Sequence, residues 1–111
     1  MESLKEMANL RNSFTGVSHG TIYISSKEGN HGPRVKYFRG KPGKSFPTAS
    51  FTISENPKVV EDSIKLTALE IKEVSLFVRI NKETLLQLWR NGAYLYKEDW
   101  NALVDSLKAI R

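Results

Sequence analysis

The chain has no cysteine, which removes disulfide frameworks, thiolate nucleophiles and sulfur-ligated zinc together. Histidine is nearly as scarce. His19 precedes one predicted strand and His31 the next, so a hairpin would hold them at opposite ends, unable to share a metal or a proton. No apolar run approaches the length of a membrane span. The opening residues "MESLKEMANLRNSF" carry charge throughout and lack the apolar segment of a signal peptide. These absences predict a cytoplasmic protein with no cofactor, no metal and no membrane association. Paired carboxylates and a nucleophile elbow are missing too, so no enzyme activity is expected. The acids read as scattered singly or on helix surfaces.

Acidic residues are also absent locally. None stands between Glu28 and Glu55, whereas Arg34, Lys36, Arg39, Lys41 and Lys44 all fall in that gap. These five cations equal the whole formal net charge of +5. Residues 1–66 hold ten Lys/Arg against six Asp/Glu, and residues 67–111 hold seven against six. The positive field is therefore local, and it favours an anionic partner.

What remains is patterned. Residues 1–13 are polar and weakly periodic, and read as a frayed helix or mobile arm ahead of one domain at 14–111. "GTIYIS", "RVKYF" and "ASFTIS" alternate with the period of half-buried strands. Their short linkers favour an antiparallel meander of three strands. "ENPKVVED" reads as a break, because Pro57 pushes Asn56 out of helical geometry. Helical spacing follows. Thr67 and Glu70 make a T-x-x-E capping box, and Ile71, Val74, Phe77 and Val78 line one face. Asn81 either caps a second helix or lies inside a continued one. Leu85, Leu88 and Trp89 extend the stripe to Gly92, and Trp100, Leu103, Val104, Leu107 and Ile110 repeat it. The expected fold is α+β, a three-stranded antiparallel meander packed against two or three C-terminal helices.

"GKPGKS", Gly40 to Ser45, imitates the end of a phosphate-binding loop. The motif needs a glycine five residues before Gly43, where Phe38 stands, and a helix after the Lys-Ser, where Phe46-Pro47 and a strand follow. The nucleotide-loop reading fails on both counts. The strands say more. If Ile22, Val35, Tyr37, Phe51 and Ile53 face the helices, the other face carries Tyr23, Arg34, Lys36, Phe38, Ser50 and Thr52. Basic and aromatic groups interleaved on a sheet neutralise phosphates and stack bases. A solvated polar face is the bland reading of the same pattern. "VRINKETLLQLWRNG" is a weak helix-turn-helix candidate. Arg79-Ile80 stands where a turn glycine is usual, and the second helix spends its leucines and Trp89 on apolar surface.

"HGPRVKYF", "FTISENPKVV" and "LTALEIKEVSLFVRINKETLLQLWRNG" follow one another in an order that resembles a group of small bacterial proteins without an assigned activity. In that group a Gly-Pro-Arg-Val/Ile-Lys strand precedes a helix ending in Leu-Leu-x-x-Trp. The resemblance covers about residues 20–92 and implies kinship but no mechanism.

The leading expectation is a small non-enzymatic binding module, its basic hairpin contacting an anionic partner, DNA or RNA foremost. Arg34, Lys36, Arg39, Lys41 and Lys44 would contact phosphates, and Tyr23 and Phe38 would stack. The competing expectation is a partner in a bacterial or phage regulatory pair, binding protein through its helical face. An outward Phe38 and Tyr23 would favour the first, an outward Trp89 or Trp100 the second. An enzyme would need a pocket that gathers His19 or His31 with an acid.

Overall fold

Alternation builds the centre of the sheet. The computed structural model describes residues 6–27, 29–40 and 47–111. In it Thr21–Ser25 (β2), Arg34–Phe38 (β3) and Ala49–Thr52 (β4) are neighbouring antiparallel strands. Ile22 lies opposite Tyr37, Tyr37 opposite Ala49, and Val35 opposite Phe51. Each row sets apolar side chains on one face, and all five of these residues are buried. The helix-facing set expected from the sequence is thus the one that forms the core.

The meander has five strands, not three. Met7–Arg11 (β1) pairs antiparallel with β2, and Val59–Asp62 (β5) with β4, giving the order β1-β2-β3-β4-β5. The first corrects the reading of residues 1–13 as a helix or mobile arm from Met7 onward; the second corrects the reading of "ENPKVVED" as a plain break. Both strands lie at edges. An edge strand needs few apolar residues, since its backbone pairs on one side only and its outward residues stay polar. In β1 only Ala8 and Leu10 face inward. In β5 a register shift at Ser50/Phe51 interrupts the alternation that would have marked it.

A single helical turn, Asn12–Thr15 (α1), joins β1 to β2. Three C-terminal helices follow β5: Ala68–Ile80 (α2), Lys82–Asn91 (α3) and Lys97–Asp105 (α4). The Thr67 hydroxyl accepts from Glu70 N–H while the Glu70 carboxylate accepts from Thr67 N–H, completing the capping box. The buried face of α2 is Glu70, Glu73, Val74, Phe77 and Val78, and Ile71 is exposed. Val74, Phe77 and Val78 are thus buried as expected, and at the start of the stripe two acids, Glu70 and Glu73, are buried in place of Ile71. Both acids have partners, described below, which is the condition for burying a charge.

Asn81 ends α2 without capping α3. Its amide donates to the carbonyls of Phe77 (2.9 Å) and Lys108 (2.8 Å), and its oxygen accepts from Lys108 N–H (2.7 Å). One buried side chain thus joins the α2–α3 corner to the segment after α4. Gly92 follows α3 and opens a 3-10 turn, Gly92–Tyr94. A Cβ there would stand 2.5 Å from the Trp100 ring, so the close passage of α4 requires glycine. The core joins Leu10, Ile22, Ile24, Val35, Tyr37 and Phe51 of the sheet to Val74, Phe77, Leu85, Leu88, Trp89 and Trp100 of the helices. All the helices after β5 contribute to this one face.

Replacing Asn81 with Ala should leave the Lys108 N–H and carbonyl without their partner. The expected cost is about 1–3 kcal/mol, read in urea unfolding as a lower midpoint at unchanged slope. An unchanged midpoint would show that Asn81 does not hold the corner.

Candidate nucleic-acid interface

Strand register decides which side chains share the outer face. One row runs Asn9, Tyr23, Lys36, Ser50, Glu61 across all five strands. A second holds Arg11, Thr21 and Phe38, and Arg34 lies opposite Thr52. Tyr23, Arg34 and Lys36 are half-buried, and the Tyr23 hydroxyl donates to Met7 Sδ at 3.6 Å. Among the described residues no acid forms an ion pair with Arg34 or Lys36. Glu61 stands in the Lys36 row but two strands away, about 10 Å at ordinary strand spacing and about one Debye length in physiological salt. Tyr23 and Lys36 are direct cross-strand neighbours, a ring beside an ammonium.

Two expected members of the site are placed otherwise. Phe38 is on the outer face but only 7 % exposed, and it lies outside the core cluster. It offers no ring for stacking. Alternation assigns a face and says nothing about what lies over it; Thr21, Ser25 and Ser50 on the same face are buried as well. Ser50 Oγ has no hydrogen-bond partner there. Arg39 points the other way, into an ion pair with Glu70 at 2.6 Å. Lys41 and Lys44, with most of "GKPGKS", lie outside the described residues.

The Arg39 pair is part of a larger knot. Glu70 accepts from the Tyr37 hydroxyl (2.7 Å), from Arg39 Nε (2.9 Å) and Nη2 (2.6 Å), and from Thr67 N–H (2.9 Å). Arg39 Nη2 also reaches the Lys65 carbonyl at 3.1 Å. The guanidinium holds the Glu70 carboxyl at about 2, against an ordinary 4.5, overcoming the opposite push of burial. Burial and the bond to Glu70 push the Tyr37 phenol well above its usual range. One helical turn on, Glu73 accepts from the N–H and hydroxyl of Ser18 (2.9 Å each) and pairs with Arg111, which also donates to the Gly16 carbonyl. Burial raises Glu73, but these bonds outweigh it and leave the carboxyl below its ordinary value. Neither acid was legible as buried, because a carboxylate looks like surface until its partners, 31 to 55 residues away, are placed beside it.

A recess of about 490 Å³ gathers His19 with Arg39, Thr67, Glu70 and Glu73. This is the juxtaposition of histidine and acid that an enzyme would need. Both carboxylates, however, are held as anions by an arginine and by further donors, so neither is a ready proton donor at neutral pH. His31 packs on Trp89 with ring centroids 5.4 Å apart. Among the described residues no group of three or more His, Asp or Glu is placed to hold a metal. Trp89 and Trp100, at 4 % and 1 % exposure, belong to the core. Among the described residues the exposed aromatics are instead Tyr94 and Tyr96, just after Gly92, a place the helical stripe gave no reason to examine. Arg11 was missed for another reason: it belongs to the segment taken as an arm.

No protein-family model, curated protein or solved structure matches this chain. Among the described residues no helix is long and apolar enough to cross a membrane. The class defined by the fold is mixed α+β, with helices on one face of a five-stranded antiparallel sheet.

Because Glu70 titrates lower when folded than when unfolded, its stabilisation is present above pH 4.5 and is lost as pH falls toward 2. Glu73 acts in the same direction. The melting temperature should therefore drop across that window. Glu70→Gln should melt lower at pH 7 and flatten the acid slope. A variant that keeps the full slope would remove Glu70 from the account.

Proposed function

We propose that this chain is a non-enzymatic binding module whose outer sheet face holds an anionic partner, single-stranded nucleic acid foremost. The observation that carries the reading is the pairing of Tyr23 with Lys36 across β2 and β3, with Arg34 on the same face and, among the described residues, no acid paired to either cation. A tyrosine ring takes a base in stack regardless of sequence, and the two cations meet its phosphates. Lys41 and Lys44 fall between β3 and β4 in the sequence and add to its positive charge there. Arg39 is left out of the contact set because its guanidinium serves Glu70, and Phe38 because its ring is covered. A single strand fits this surface better than a duplex, since no described helix offers base-reading side chains beside it and stacking needs splayed bases.

A second reading has its own support. Tyr94 and Tyr96 are 79 % and 77 % exposed at the corner between α3 and α4, on the helical side of the molecule. Tyrosines of this kind anchor protein partners. A complex formed there would tolerate salt, whereas one on the outer sheet face would not.

The readings separate in a titration with a short single-stranded oligonucleotide over a range of salt. The double variant Arg34→Ser, Lys36→Ser should lower the slope of log affinity against log salt by about 1.4, roughly 0.7 for each lost phosphate contact. Tyr23→Leu should weaken binding by about 1–3 kcal/mol and leave that slope unchanged. Wild-type affinity and slope in both variants would refute the outer-face assignment.

A further inference from the structure

Besides the recess over Glu70 and Glu73, a second one of about 580 Å³ opens at the end of the sheet, and the two meet at His19 and Gly20. We propose that this second recess seats a phosphate monoester, either the terminal phosphate of a nucleic-acid strand or that of a free nucleotide. The inference rests in part on the outer-face reading above, which supplies the strand.

The lining makes the case. Its side chains are Arg11, Asn12, Ser13, His19 and Thr21, and its walls include the backbone of Gly20 and Gly40. No acid is among them. Arg11 is exposed at the end of β1, and among the described residues no carboxylate pairs with it. Its planar fork of donors is free for two phosphate oxygens. The Ser13 hydroxyl and the His19 imidazole supply further donors. The Asn12 amide is held only by a long 3.5 Å contact to the Ser18 carbonyl. Thr21 is already used, since its hydroxyl donates to the Gly40 carbonyl at 3.1 Å and so braces the wall. The volume falls within the range of small-molecule sites.

The neighbouring recess does not oppose an anion. Glu70 and Glu73 are each paired with an arginine, so the two carboxylates present little net field toward His19. The junction requires glycine at position 20. Gly20 holds φ at +78°, and a Cβ there would lie 2.5 Å from the Tyr37 ring. Position ties the recess to the outer face. Arg11 is two residues beyond Asn9, the member of the Tyr23–Lys36 row on β1, about 7 Å along the strand. A strand stacked on Tyr23 therefore reaches the recess with its end. A terminal phosphate carries more charge than an internal diester, which the unopposed Arg11 rewards.

The test uses the full chain and three probes at low salt: AMP, a single-stranded oligonucleotide with a 5′-hydroxyl, and the same oligonucleotide with a 5′-phosphate. AMP should bind and shift the amide resonances of Gly20 and Thr21. The 5′-phosphate should tighten oligonucleotide binding about tenfold, the scale of a charge-assisted contact. Arg11→Ser and His19→Gln should abolish that advantage and AMP binding while the 5′-hydroxyl oligonucleotide binds as before. AMP binding with neither oligonucleotide bound would support the seat as a nucleotide site and refute the outer-face reading. Equal binding of both oligonucleotides with none of AMP would overturn the seat and leave the outer face standing. AMP binding that survives Arg11→Ser would also overturn it, and no binding of any probe would refute both.

Discussion

Four hydrogen bonds converge on the Glu70 carboxylate, and they come from the sheet, from the hairpin end and from the turn before α2. Tyr37 brings the centre of β3, Arg39 the residue just past it, and Thr67 the N-terminus of the helix. A charge in this half-closed place is tolerable only with all of them present, because losing one partner leaves the others aimed at an uncompensated group. The knot therefore sets where α2 begins and which of its faces meets the sheet. Glu73, one turn on, repeats the device with Ser18 and Arg111, and Ile110 N–H donates to the Thr15 carbonyl beside it at 2.8 Å. The C-terminal residues are thereby tied to the connection between β1 and β2.

That arrangement divides the charge of the protein into two kinds. Arg39, Arg111, Lys82 and Lys97 form ion pairs with Glu70, Glu73, Glu55 and Glu6. Arg11, Arg34 and Lys36, on β1 and β3, make no ion pair among the described residues, and neither do Lys72, Arg79 and Arg90 on the helices. The local excess read from the sequence is real, but one of its five members is structural. Two of the others, Arg34 and Lys36, lie on the sheet face away from α2, α3 and α4. An antiparallel sheet covered on one side has this option because its second face can stay in water.

The central strands were legible because Ile22, Val35, Tyr37 and Phe51 alternate strictly and pair in register. The capping box at Thr67 and Glu70 was legible because it is local. The edge strands were not, since "MANLR" and "VVED" carry too few inward apolar residues and become strands through β2 and β4. Glu70 and Glu73 were misjudged for a related reason: the donors that let them be buried are distant in sequence. Phe38 illustrates the limit of alternation, which places a ring on a face but does not say whether that face is open at that point. Tyr23, Arg34 and Lys36 lie on the face that alternation assigns them, and Arg11 joined that face only when β1 was recognised as part of the sheet.

The central claim is that the face away from the helices is the one that binds. The most direct measurement is a map of backbone amide shifts in the labelled protein on addition of a short single-stranded oligonucleotide. The account predicts shifts along Tyr23, Arg34, Lys36 and Thr52, with α2, α3 and α4 unmoved. Shifts confined to the helices, or around Tyr94 and Tyr96, would contradict it.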